Sequence, residues 1–149
     1  MEIIQVKENK KKYLDLLLLA DEQEDMVDRY LERGDMFVLS DGSVRAECVV
    51  TNEGPGTYEL KNIATAPLFQ RQGYGRRLIE YLFNHYPDLQ TLYVGTGDSP
   101  LSLGFYHACG FIDSHRVERF FTDNYDHPII EDGIQLVDMV YLKRERVRD

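Results

Sequence analysis

Two glycines and three arginines stand where an extended run gives way to a helical one, in Leu68-Phe69-Gln70-Arg71-Gln72-Gly73-Tyr74-Gly75-Arg76-Arg77-Leu78-Ile79. Glycine lets a backbone turn tightly and approach a ligand closely. The first amides of a helix have no internal partner and carry the positive end of its dipole. Together these features predict an anion site, above all for phosphate. Arg71, Arg76 and Arg77 add cationic charge to an otherwise acidic chain. A P-loop would need Gly-Lys-Ser/Thr after its glycines, and a dinucleotide fingerprint a third small residue where Leu78 stands; neither is present. The alternative reading is a glycine-rich turn with solvated arginines.

The elements that position this stretch follow from periodicity. Residues 58–65 read as a strand ended by Pro67, and Leu78, Ile79, Leu82 and Phe83 recur at helical spacing up to Tyr86, with Pro87 as the stop. Upstream, residues 2–6 read as a first strand, the apolar residues from Tyr13 as a helix, and 22–33 as a second helix with Gly34 at its C-cap. Residues 36–39 and 43–51 form strands joined by Asp41-Gly42, and 52–56 form a second turn. Downstream come a strand over 89–94 ended by Gly95-Thr96-Gly97, a helix over 102–109 stopped by Gly110, a strand over 111–121, an irregular loop over 124–133 and a strand over 134–142. Residues 143–149 are charged and expected to fray. The pattern βααβββαβαββ predicts a mixed α/β sheet in one domain covering 1–149.

Composition excludes several functions. With 149 residues the chain suits one ordinary core. Its net charge of −9 argues against tracking a nucleic-acid backbone and favours a cationic partner such as an amine, although acidity also serves solubility. The longest apolar run, 16–20, is too short to span a bilayer, and the N-terminus lacks signal-peptide design. Cys48 and Cys109 form no CxxC pair and read as buried structural thiols in a reducing, cytoplasmic compartment. His85, His107, His115 and His127 have no metal-ligand spacing, so no metal is expected.

The spacing Gln70-x-x-Gly73-x-Gly75 resembles the acetyl-CoA pyrophosphate motif of the GNAT superfamily of N-acyltransferases. Two further segments are similar to that family in order and place: Asn62-Ile63-Ala64-Thr65-Ala66-Pro67, and Phe105-Tyr106-His107-Ala108-Cys109-Gly110-Phe111. The resemblance covers essentially the whole chain. It implies a mostly antiparallel twisted sheet of about seven strands with helices on both faces, splayed between the fourth and fifth strands. It implies that backbone groups of Ile63, Ala64 and Thr65 hold the pantetheine arm of acetyl-CoA, and that the amides of Arg71, Gln72, Gly73, Tyr74, Gly75 and Arg76 hold its pyrophosphate. Where the family often has an Asn after the fifth strand, this chain has Gly97-Asp98-Ser99-Pro100, so Asp98 or Ser99 is expected at the cofactor. Thr65 is a second departure, an apolar β-branched residue being more usual there.

The implied chemistry is transfer of an acetyl group to a primary amine by direct attack in a ternary complex. An alkyl amine is mostly protonated at neutral pH, so a general base is useful, and the departing thiolate benefits from an acid. The resemblance assigns the acid to Tyr106, whose bland alternative is a packed aromatic, and the base to Glu59, which could equally face solvent. Asn62 and Tyr125 are expected to contact the acceptor. Acidic residues in 21–28 and in the 123–132 loop suit a small cationic amine. The competing functions are an acyl-CoA-binding sensor without catalysis and an acetyltransferase for protein N-termini or lysines. A homodimer is expected only by analogy.

Overall fold

In the computed structural model, which describes residues 1–147, strand β1 (Glu2–Val6) leads to helices α1 (Leu14–Ala20) and α2 (Glu24–Val27). Strands β2 (Asp35–Ser40), β3 (Val44–Gly54) and β4 (Thr57–Thr65) follow, then helix α3 (Tyr74–His85). β1 pairs with β2, β2 with β3 and β3 with β4, all antiparallel. These elements belong to one compact unit, Met1–Leu89, and the chain from Gln90 onward forms a second. Gly42, at φ 79°, turns β2 into β3, as Asp41-Gly42 predicts. The second turn is tighter than expected: β3 runs on through Asn52 and Glu53 to Gly54, leaving Pro55 and Gly56 at its tip.

The register of β3 and β4 shifts once in mid-sheet. Val49 lies opposite Asn62 but Val50 lies opposite Leu60, so Lys61 is an extra residue, a β-bulge. Successive strand residues alternate faces and paired residues share one. The bulge therefore turns Asn62 and Ala64 to the face opposite that of Tyr58 and Leu60. Tyr58 accordingly meets the end of α3, with its ring 4.5 Å from that of Tyr86 and its hydroxyl donating to Asp88. Asn62 meets α1, where its Nδ2 donates to the Leu17 carbonyl at 3.0 Å. On that second face Leu17, Val27, Tyr30 and Leu31 bury themselves against Met36, Val38 and Val49.

The helix expected over 22–33 is only the single turn of α2. Beyond Val27 the amides of Arg29 and Tyr30 reach back three residues, to Met26 and Val27, while those of Leu31 and Gly34 reach back four, so the segment continues as turns and not as a regular helix. The carbonyls at the end of the segment have another partner: the Lys10 ammonium, almost wholly buried, donates to Leu31 at 2.9 Å, Glu32 at 3.3 Å and Gly34 at 2.7 Å. Gly34 is required by crowding rather than as a left-handed cap, since a Cβ there would sit 2.7 Å from Val49 Cγ1.

The second unit contains β5 (Thr91–Gly97), α4 (Pro100–Ala108), β6 (Ile112–Val117), α5 (Phe120–Asn124), a hairpin of β7 (Ile130–Glu131) and β8 (Ile134–Gln135), and β9 (Met139–Glu145). β9 pairs antiparallel with both β5 and β6. Five expectations fail here, where side chains distant in sequence decide the local structure. β5 continues through Gly95 and ends only at Gly97, with Met139 Sδ and Leu136 Cδ1 in the space of their missing Cβ atoms, at 2.5 Å each. The strand expected over 111–121 stops at Val117; α5 follows, burying Phe121 against Ile129 and Leu136. The loop over 124–133 contains β7, turned at Asp132 and Gly133 with φ 50° and 76°. The strand over 134–142 is broken between β8 and β9, and Lys143, Arg144 and Glu145 are paired with β5 rather than frayed; of the expected tail, Arg148 and Asp149 lie outside the described residues. Gly110, at φ 92°, follows α4 as expected.

Lys10→Met keeps the aliphatic stem but strips three carbonyls of their shared donor. Unfolding by urea is expected to show a loss of about 2–3 kcal/mol, against which an unchanged midpoint would count.

Candidate functional site

Gly73 caps α3 at φ 86° with no side-chain hydrogen bond at the cap, and the first helix-type bond runs from Arg77 N to Gly73 O. The amides of Tyr74, Gly75 and Arg76 thus open the helix without intrahelical partners. Arg71, itself at φ 65°, Gln72, Arg76 and Arg77 lie exposed around them. The positive φ at Gly73 suits glycine, which has no Cβ to strain there. A twelve-residue helix whose first amides have no intrahelical acceptor, beside three arginines, fits a pyrophosphate group. The Tyr74 side chain points inward: it is buried, and its hydroxyl accepts from Arg45 Nη1 at 2.7 Å. Arg45 also stacks over Phe69, with 4.3 Å from guanidinium to ring centroid.

The end of β4 is tied to this loop. Gln70 Nε2 donates to the Thr65 carbonyl at 3.1 Å, which fixes where strand becomes loop. Ile63 and Thr65 are half-buried and Ala64 is buried.

Three polar residues share the α1 face of this sheet. Glu59 is held by Lys61, with 2.7 Å between carboxylate and ammonium. Asn62 donates to the Leu17 carbonyl and to the Tyr30 hydroxyl, each at 3.0 Å, and Tyr30 in turn donates to Asp21 at 2.9 Å. Glu47, on β3 opposite Ala64, is fully buried. Neither of its oxygens, nor Asn62 Oδ1, has a hydrogen-bond partner among the described residues. Burial drives the Glu47 carboxyl well above the usual carboxylate range; the backbone amide of Ala64 lies near and opposes this, without reaching hydrogen-bond geometry. Sequence reasoning missed Glu47. It sits in a strand of Cys48, Val49 and Val50, where only the burial of a charged residue on the core face could have signalled it. The Tyr30 hydroxyl is raised above its ordinary value, first by burial and then by Asp21.

In the second unit Tyr106 lies buried on α4, edge-on to Phe105 and Phe111 with ring centroids 5.1 and 5.6 Å away. Asp98 is paired with Arg116 at 2.8 Å. Ser99 is fully buried; its hydroxyl and that of Ser102 donate to the two oxygens of Glu131, at 2.7 and 2.6 Å. Tyr125 stacks on Phe121 at 5.6 Å and lines a cavity of about 250 Å³ with Asp126, His127 and Gln135. Of the acids expected around 21–28, Glu24 and Asp28 both bind Lys11 at 2.8 Å. Cys48 and Cys109 are buried and free. Among the described residues no group of three or more His, Cys, Asp or Glu could hold a metal ion, and no helix is long and apolar enough to cross a membrane.

The Glu47 carboxyl has a consequence for stability. Its folded-state pKa is raised, so the unfolded chain ionises first as pH rises, and folding stability falls above the ordinary carboxylate pKa. Glu47→Gln cannot ionise. Its melting temperature is expected to exceed that of the native chain at neutral pH and to converge with it in acid. A gap independent of pH in thermal scans would contradict this. Gly73→Ala, forced into a left-handed conformation, is expected to lose about 1 kcal/mol in the same scans.

Comparison with known proteins places the chain. A family model described as acetyltransferase (GNAT) domain matches residues 32–113. The uncharacterized N-acetyltransferase YvbK of Bacillus subtilis (strain 168) is 39% identical over 132 residues, covering 86% of this chain and 85% of that protein. A GNAT family acetyltransferase from Elizabethkingia anophelis, crystallised with acetyl-CoA bound, is 33% identical with a TM-score of 0.90 over 97% of both chains. A Bacillus subtilis acetyltransferase in complex with CoA is 35% identical with a TM-score of 0.86, covering 98% of this chain and 99% of that one. By its fold, its glycine-capped helix and these relatives, the chain belongs to the GNAT family of acetyltransferases.

Proposed function

We propose that the chain, as one acyltransferase domain, moves an acetyl group from acetyl-CoA to a primary amine, a small cationic metabolite, by direct attack in a ternary complex. The observation that carries this reading is the N-terminus of α3 under Gly73, with no side-chain cap and with Arg71, Arg76 and Arg77 exposed beside it. The amides of residues 71–76 bind the pyrophosphate, and backbone groups of Ile63, Ala64 and Thr65 align the pantetheine arm. Asp98 and Ser99 contribute from the turn after β5. Acetyl-CoA supplies the activated thioester; the chain orients it and moves protons.

Tyr106, buried edge-on to the Phe105 and Phe111 rings, gives its hydroxyl proton to the departing sulfur. Glu59 takes the proton released by the amine, which requires Lys61 to yield its hold. Asn62 and Tyr125 contact the acceptor. The acidic balance of the chain favours a cationic acceptor through its long-range field. Two buried free thiols support a cytoplasmic setting.

Calorimetric titration of acetyl-CoA, followed by thiol release with a library of amines, tests the reading. Binding with turnover on a small amine supports it; binding with turnover only on peptides moves the acceptor to protein, and no binding removes it. Tyr106→Phe is expected to keep acetyl-CoA affinity and lose turnover by on the order of 10²-fold; unchanged turnover would take the acid role from Tyr106. Gly75→Val is expected to weaken acetyl-CoA binding by roughly tenfold or more, since a branched side chain blocks the approach of phosphate to the amides.

A further inference from the structure

We infer that Glu47 and the amide oxygen of Asn62 form the seat for the ammonium group of the acceptor. This deepens the acetyltransferase reading and rests on it. Glu47 lies directly opposite Ala64 on the neighbouring strand, beside the β4 residues to which that reading assigns the thioester arm. Asn62 lies opposite Val49, two residues along β3 from Glu47, with no register shift between them. The two side chains therefore share a face as diagonal neighbours, at a separation of about 7–8 Å. That separation lets two side chains converge on one small group.

The donors around them are already committed. Tyr30 gives its hydroxyl proton to Asp21, and Asn62 gives its amide protons to Leu17 and Tyr30, which fixes the amide with its oxygen turned the other way. What remains is Glu47 Oε1, Glu47 Oε2 and Asn62 Oδ1, all buried and, once the carboxyl ionises, all acceptors; the other buried unpartnered atom among the described residues, Arg45 Nε, belongs to a guanidinium held by the Tyr74 hydroxyl and the Asp41 carbonyl. Folded proteins rarely leave such groups unpaired, and a buried carboxyl without a partner is among the costly cases. The chemical complement of three acceptors is a group with donors only. A primary ammonium carries three N–H bonds and no acceptor. An alcohol or neutral amide would bring an acceptor into the same space, and a carboxylate would be repelled.

Glu59, on the same face, differs because Lys61 already supplies it with an ammonium. The titratable groups that interact with Glu47 are Tyr30, from the segment over the sheet, and Cys48, which points to the opposite face, while Arg45 lies two residues along β3. The seat is closed in the free protein, beneath elements as short as the seven-residue α1 and four-residue α2. Entry of an amine requires these to part.

The test uses the full chain saturated with CoA and n-butylammonium chloride as probe, with sodium chloride at equal ionic strength as control. Thermal scans of the native chain are expected to show stabilisation by butylammonium beyond that by sodium. Glu47→Gln is expected to lose that increment while remaining at least as stable in the control and binding acetyl-CoA unchanged. With an amine that turns over, the variant should raise the amine KM by about tenfold or more and leave the acetyl-CoA KM unaltered. Glu47→Asp, retaining charge on a shorter stem, should recover part of the loss. An undiminished butylammonium shift in Glu47→Gln, or no specific shift in the native chain, overturns the inference, as does a variant that melts lower, which would make Glu47 a structural residue. Failure of the acetyltransferase reading is seen separately, as absence of acetyl-CoA binding in the native chain, and the butylammonium scans are therefore also run without CoA.

Discussion

The single extra residue in β4, Lys61, governs what each half of that strand can reach. Without it, Asn62 and Ala64 would share a face with Tyr58 and Leu60 and meet α3, because strand side chains alternate strictly. With it, the first half of β4 anchors the end of α3 through Tyr58, Tyr86 and Asp88, and the second half turns its polar residue to α1 and the turn beyond α2. The anion cradle and the polar face thus hang from one strand but from opposite sides of it. A bulge bends a strand and leaves ladder groups unpaired, which fits a strand expected to lend backbone groups to a ligand.

The polar face is an expensive construction. Tyr30, Asp21 and Asn62 satisfy one another and the Leu17 carbonyl, yet the network stops short of Glu47. A packed apolar residue at Glu47 would cost less, since a buried acid must remain protonated or carry an unpaired charge. Functional surfaces commonly carry such local penalties, and the rest of the unit offsets them through the apolar cluster around Leu17, Val27 and Val49. Lys10 shows the opposite solution in the same unit. There a buried ammonium meets three carbonyls, so its desolvation is matched by hydrogen bonds.

Much of the architecture was legible in residue order. β1, the hairpin at Asp41-Gly42, β4, α3 and α4 with Gly110 behind it all follow from periodicity and turn chemistry, which act over a few residues. The anion cradle was legible for the same reason: Gly73 and the amides it exposes are a property of a strand-to-helix junction. The shortened α2, the strand character of Gly95 and Gly97, and the helix α5 were not legible. Each depends on a partner far along the chain, namely Lys10, Met139 and Leu136, and the Ile129 cluster.

The sequence by itself determined the family, the order of the elements and the helix terminus suited to phosphate, because motif spacing and local backbone preference encode them. Only the tertiary structure decided which carboxylate is engaged and which is not. Glu59 and Glu47 are indistinguishable as letters, each in an extended run. Register places Lys61 on the first and buries the second opposite Ala64, with neither of its oxygens hydrogen-bonded among the described residues. Charge pairing and desolvation depend on distances between strands, and those exist only once the sheet has formed.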